Sequence, residues 1–317
     1  MRTALPGQKR EPRMTRLIAA LAAFSVFAMA FQGAPQTPLE RVKARIESIT
    51  RSVNASWGIY IKSLDTGEEI AIHADDQMDT MSVIKIPLMV EAYRQAGEGR
   101  FRLSDTHALK KAEIRPGTGI MQRWAEGTLL SWADIIDLMI IVSDNTATDL
   151  VFEKVGGPAA VNKLMDSYGY DRIRATGLAA DWFQALRESP DRSAFHREAK
   201  HPFGLATPRQ IGLLLEKIAK GEAVDKEASR KMMDHMRGQL YATRIPRYLP
   251  FTSFSGRAAH KTGDFLPYIG NDVGILEGGG KQVVVSIFTA NHFGMGTLLE
   301  QAVGQITEQA AAYFGDR

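Results

Sequence analysis

The chain has 317 residues, 39 of them Lys or Arg and 36 Asp or Glu; it is 44% hydrophobic and contains no cysteine. This length and apolar content suit one large domain or two closely joined ones. The lack of cysteine excludes a disulfide scaffold, a thiol nucleophile and a cysteine zinc site. The formal charge of +3 is misleading, because Arg2, Lys9, Arg10, Arg13 and Arg16 face only Glu11 within residues 1–30. Without that segment 34 bases meet 35 acids, which removes the main support for a nucleic-acid partner.

At the N-terminus a basic start precedes the apolar run Leu17–Phe31, which is short for a membrane span, and the small residues Ala28 and Ala30. This pattern predicts a signal peptide over residues 1–30, cut after Ala30, with an uncleaved anchor as the alternative. Residues 31–317 are then the mature domain, outside the cytoplasm, periplasmic or secreted, with no stable membrane insertion after cleavage.

Leu39, Val42, Ile46 and Ile49 have helical spacing. Trp57–Ile61, the turn Asp65-Thr66-Gly67 and Glu69–Ile72 predict a hairpin, with isoleucines 59, 61, 70 and 72 on one buried face. From Ser82 to about Tyr241 the texture is helical. Ser131 is placed to cap a helix over Trp132–Val142, Gly156-Gly157-Pro158 breaks the next one, and Ala159–Tyr168 forms another. In Thr207-Pro208-Arg209-Gln210 the threonine caps a further helix, with Gln210 expected to close the box. Periodicity lapses between Tyr170 and Leu205, a length typical of a functional or mobile segment. Strands return at His260–Gly263, Asp272–Leu276 and Gln282–Thr289, with a Gly278-Gly279-Gly280 turn, and a helix over Leu298–Phe314 closes the chain.

The expected fold class is α+β: an antiparallel sheet flanked by N- and C-terminal helices, plus an all-helical insert. Residues of about 35–80 and 242–317 make the sheet part, and about 81–241 the helical part. The seam between the two is a natural cleft. The seven histidines show no metal-ligand spacing beyond the loop pair His196 and His201, so neither a metal nor a cofactor is expected.

Three short motifs carry chemistry. Ser82-Val83-Ile84-Lys85 precedes an apolar run; on a helix starting near Ser82 the Lys85 amine falls beside the Ser82 hydroxyl. Serine needs a neighbouring base to become a nucleophile, and a desolvated lysine can supply one. Alone this pair is weak evidence. Ser143-Asp144-Asn145 follows an apolar helix and alone reads as a helix end. Lys261-Thr262-Gly263 opens a strand and alone reads as an edge guarded by lysine. All three in this order, on helix start, helix end and strand, make coincidence about one in a thousand.

With these motifs the sequence resembles the class A β-lactamases and their penicillin-binding relatives. The likeness runs from the Trp57 hairpin to the final helix and includes Ser143 through Leu150, Thr207-Pro208 and His260 through Gly263. It implies that Ser82 accepts an acyl group, that Lys85 is its base or base partner, and that Ser143 passes a proton to the leaving nitrogen. Asn145 is implied to hold Lys85 and the substrate's amide, and Lys261 and Thr262 to bind its carboxylate. Gly263 is implied to let the substrate lie against the strand, and the N–H groups of Ser82 and Asp264 to form an oxyanion hole. Asp264 stands where a small residue is commoner, adding negative charge near an anionic substrate. The resemblance lacks the hydrolytic branch's Glu-x-x-Leu-Asn loop motif, whose glutamate and asparagine positions hold Ala179 and Phe183 here. Asp181, Glu188 or Glu198 could supply a deacylation base instead. The implied substrate is a small β-lactam or a peptidoglycan-like molecule, the default state a monomer. D-alanyl-D-alanine peptides, small esters and a slowly deacylating penicillin sensor remain as alternatives.

Overall fold

Residues 1, 3, 37–193, 195, 201–254 and 258–315 are described by the computed structural model. Glu198, His196 and the expected leader, apart from Met1 and Thr3, lie outside them. The chain divides into Met1–Arg41 and Val42–Arg317, the latter containing both sheet and helical insert. In the first unit Thr37 and Glu40 bond reciprocally: the Glu40 amide donates to Thr37 Oγ1 and the Thr37 amide to Glu40 Oε2. This opens helix α1 (Pro38–Ser52).

In the second unit β1 (Ser56–Ser63), β2 (Glu69–Ile72), β8 (Ala258–Phe265), β9 (Ile269–Gly278) and β10 (Lys281–Ala290) form one antiparallel sheet. Its order is β2-β1-β10-β9-β8, so the first long strand pairs with the last, with Ile59 opposite Ile287. The hairpin forms as expected, with Ile59 also opposite Ile72. Its burial differs from expectation. Trp57 through Ile61 are all buried, because β1 lies inside the sheet with both faces covered. Side chains alternate along a strand, so Tyr60 faces opposite to Ile59 and Ile61. Tyr60 meets Gly212 of α7 (Pro208–Ala219), where an added Cβ would lie 2.3 Å from its ring. The closing helix α9 (Gly296–Gly315) packs on β9 and β10.

Between the two halves of the sheet runs the helical insert. A one-turn 3₁₀ segment (Met81–Ile84) leads into α2 (Lys85–Gly97), so the expected helix start at Ser82 is a tighter turn than an α-helix. A small ribbon, β4 (Thr106–Ala108) with β5 (Leu129–Ser131), precedes α3 (Trp132–Ile141). There Ser131 accepts from the Asp134 amide and Asp134 from the Ser131 amide, a closed capping box. Then follow α4 (Asn145–Val155) and α5 (Pro158–Ser167), separated by Gly156 and Gly157, both at positive φ. Thr207 caps α7 through the Gln210 amide, but the Gln210 side chain turns to Asp171 and the Arg172 amide instead of closing a box. Helix α8 (Lys226–Arg237) completes the insert.

The aperiodic stretch 170–205 contains β6 (Arg174–Ala175), α6 (Ala179–Glu188) and β7 (Gly204–Ala206). β6 and β7 join β3 (Met78–Asp79) in a second, three-stranded sheet, just before the Met81 turn. Among the described residues no helix is long and apolar enough to cross a membrane.

Candidate active site

The 3₁₀ turn bearing Ser82 is held from both sides. Met81 has φ +44°, a left-handed conformation that costs a non-glycine residue energy. Its amide donates to Asp79 Oδ1 at 2.8 Å, and Asn271 of β9 donates through Nδ2 to the carbonyls of Asp79 and Thr80. Gly263 of β8 lies so close that an added Cβ would be 2.4 Å from the Thr80 carbonyl oxygen. The bare glycine therefore lets the strand seat against this turn.

Lys85 is fully buried, and its amine donates to Ser143 O at 2.8 Å, Ser143 Oγ at 3.0 Å and Asn145 Oδ1 at 3.0 Å. The Ser82 hydroxyl is not among its partners. Burial drives the Lys85 amine well below the ordinary lysine range, and the Lys261 charge pushes it further; Asp144, Asp149 and Asp264 oppose this. In the neutral amine two of these contacts are donated and the Ser143 hydroxyl donates to the lone pair, the form in which a lysine can serve as a base.

Ser143 has φ +56° and stands between α3 and α4. Asp144 explains that conformation. Its Oδ1 caps α4 at the Ala147 amide, while Oδ2 accepts from the Ile120 and Met121 amides. Gly119 approaches it so closely that a Cβ would clash with the carboxylate at 2.2 Å. Asp144 is thus the anchor that sets the serine and asparagine on either side. Thr118 Oγ1 donates to Ser143 O, and Asn145 Nδ2 to Pro116 O.

From β8 come Lys261 and Thr262, both fully buried. The Lys261 amine donates to Thr262 O at 2.9 Å; burial lowers its pKa to about 8, against the pull of Asp264 and Asp272. The Thr262 hydroxyl is buried without a partner among the described residues, as suits a group awaiting an acceptor. Asp264 is not an uncompensated charge. The nearly buried Arg244 donates to it through Nη2, and through Nη1 to Asn271 O at 2.8 Å. The Asp264, Asp272 and Glu300 charges raise the Arg244 guanidinium's pKa, although burial opposes them. His260 binds Asp272 through Nδ1 at 2.9 Å, within the strand pair.

A pocket of about 220 Å³ opens beside these groups, lined by Ser82, Ser143, Asn145 and Asp264 on one side, while Lys85, Lys261 and Thr262 lie buried behind its lining. Trp182, Phe183 and Leu186 of α6 wall the other side. Phe183 presses on Gly117, where a Cβ would lie 2.6 Å from the ring, and Ala179 is wholly buried. The Ala179 and Ala180 amides donate to Asp149, which also pairs with Arg115 at 2.7 Å. Asp181 accepts from the Leu178 amide and faces a different cavity, while Glu188 is exposed beside Gln184. Neither lines the pocket. Sequence reasoning missed Arg244, Asn271 and Asp149. Only Asn271-Asp272, two polar residues inside an otherwise apolar strand, gave a legible signal.

The description "Beta-lactamase enzyme family" belongs to the family matching residues 41–314. The extended-spectrum β-lactamase PER-1 of Pseudomonas aeruginosa is 29% identical over 154 residues, 48% of each chain. The chain spans about half the length of the first curated relatives it matches, 48% and 56%. A crystal structure of a β-lactamase from Sphaerobacter thermophilus superposes with a TM-score of 0.75 at 28% identity, covering 89% of this chain and 99% of that one. The structure of PBP-A gives 0.74 at 22% identity, covering 90% and 99%.

Proposed function

Since the chain belongs to the β-lactamase enzyme family, we propose that it opens β-lactam rings through an acyl-enzyme on Ser82. The reading rests above all on the buried Lys85 amine, held by Ser143 Oγ and Asn145 Oδ1 beside the Ser82 turn. In the first step Ser82 Oγ bonds to the lactam carbonyl carbon and the ring C–N bond breaks. Lys85 takes the hydroxyl proton, and Ser143, already bonded to Lys85, gives its own proton to the departing nitrogen and is reprotonated from Lys85. Water then cleaves the ester. We propose class A, EC 3.5.2.6, on the order of the three motifs. Incubation with a chromogenic cephalosporin, following colour and intact mass together, tests it. Colour change with an adduct on Ser82 is the expected result; neither colour nor adduct overturns it.

Lys261 and the unpartnered Thr262 hydroxyl are proposed to take the substrate carboxylate. A charge-assisted hydrogen bond is worth about 1.5–3 kcal/mol, or about one to two decades in kcat/KM. Lys261→Ala is therefore expected to cost that much on anionic substrates and far less on neutral esters. With its pKa at about 8, Lys261 is charged below that pH and neutral above it. KM for an anionic substrate should rise as pH passes upward through 8 while that for a neutral ester stays level; parallel profiles would show a structural role.

We also propose that the enzyme works in the periplasm or medium of a bacterium, with a mature N-terminus near Phe31. N-terminal sequencing of protein from the exported fraction checks this, and recovery of Met1 or Met14 in the cytosol is the contrary result.

A further inference from the structure

A larger cavity, about 390 Å³, lies on the other side of the Met81 turn from the serine pocket. The two share Met81, Trp182 and Phe265 as a common wall but no reacting group, since Ser82, Ser143 and Asn145 line only the smaller one. Its interior is aromatic and aliphatic, with Trp57, Met78, Leu205 and Ile269 lining it beyond the shared wall. Trp182 is 8% exposed, and it stands edge-on to Phe183, Phe195, Phe203 and Phe265. Its buried indole N–H has no acceptor among the described residues. A buried donor of this kind calls for a ligand oxygen or a water.

Charge separates the two cavities. The serine pocket includes Arg192, and its Asp264 is paired with Arg244. Among the described residues lining the larger cavity there is no lysine or arginine; its charged members are Asp76 and Asp79, with His201. Asp76 is exposed at the mouth, 3.5 Å from His73. Asp79 is set deeper, and burial raises its carboxyl to about 7 even though the Met81, Phe203 and Gly204 amides bond to it. Among the described lining residues an anion meets two carboxylates and, as the one basic group, His201. A cation offsets the cost that burial imposes on Asp79, and its aromatic body fits the ring faces.

We infer that this cavity is a binding site for a protonated arylalkylamine with a ring oxygen. The ring lies against Trp182 and Phe265, with the oxygen accepting from the Trp182 indole and the ammonium between Asp79 and Asp76. Met81 and Phe265 directly flank Ser82 and Asp264 in sequence, so an occupant touches the neighbours of both proposed oxyanion donors. The inference goes beyond the proposed activity and does not depend on it.

Calorimetric titration of the full chain with 4-methoxyphenethylamine tests it, with the corresponding alcohol and 3-(4-methoxyphenyl)propanoate as comparators. One site is expected, at least tenfold tighter for the amine than for the alcohol, with no heat from the carboxylate. Asp76→Asn should narrow the amine–alcohol gap. Ala290→Phe, which fills the cavity from its far wall, should abolish binding with an unchanged melting curve; Gln77→Trp on the rim gives the same reading if Ala290→Phe does not fold. Ser82→Trp, which fills the smaller pocket, should leave binding intact. Equal affinity for amine and carboxylate, no effect of the cavity-filling variants, or loss in Ser82→Trp each overturns the inference. The titration needs no turnover, so a negative result leaves the proposed hydrolysis standing.

Discussion

Ser82→Ala is expected to leave no covalent adduct after incubation with benzylpenicillin, with a melting curve matching that of the parent chain. The Ser82 hydroxyl makes no hydrogen bond among the described residues, so its removal leaves no buried partner unsatisfied. The turn itself is fixed by Asp79, Asn271 and the seat on Gly263. Lys85→Met separates base from nucleophile. It nearly preserves the volume inside α2 but deletes the lone pair, and removing a positioned general base costs about 10²–10⁴ in rate. Mass spectrometry resolves the two variants: none of the adduct with alanine, the same adduct formed far more slowly with methionine. An undiminished adduct in Ser82→Ala would place the nucleophile elsewhere.

The second large effect concerns release of the acyl group. Water must be held against the ester and lose a proton, and in this pocket that region is walled by Phe183, Leu186 and Trp182. The carboxylates of α6 point elsewhere, and Asp264 is committed to Arg244. Penicillin should therefore acylate faster than it leaves, giving a pre-steady-state burst and an adduct that persists for many turnovers' worth of time. Ala179→Glu combined with Phe183→Asn replaces the apolar pair by an acid and an amide. A gain in deacylation of about 10²–10⁴ is expected from a working base. Fast steady-state turnover with no burst in the parent chain would show that a base acts from another position, and Glu198→Gln is the variant to try next.

The long strands and several helices were legible because their signals are local: alternating isoleucines in β1 and β2, capping residues at Ser131 and Thr207, paired glycines between α4 and α5. The short strands β3 to β7 and helix α6 carry no such signal and went unread. The three motifs announce themselves by residue type and order. What could not be read was how charges separated by long stretches of chain meet. Asp264 looked like a negative charge facing an anionic substrate, and only folding brings Arg244, twenty residues earlier, onto it. The spacing of Ser82 and Lys85 suggested a direct pair, whereas the amine turns to Ser143 and Asn145 from another helix. Nor does the sequence show that the atom nearest the place of Gly263's missing side chain belongs to Thr80.

The position of β10 also bears on how the chain acquires its shape during synthesis. β10 sits at the centre of the five-stranded sheet, between β1 and β9, yet it is the last strand to be made. At about 5–20 residues per second, β1 waits tens of seconds for the partner opposite Ile59, while α2 through α8 can already assemble from nearby contacts. Loop closure over so long a span slows folding, so the hairpin of β1 and β2 spends that interval with an unsatisfied edge. A chain shortened before Lys281 loses the middle of its sheet and cannot close it, whatever the state of its helices.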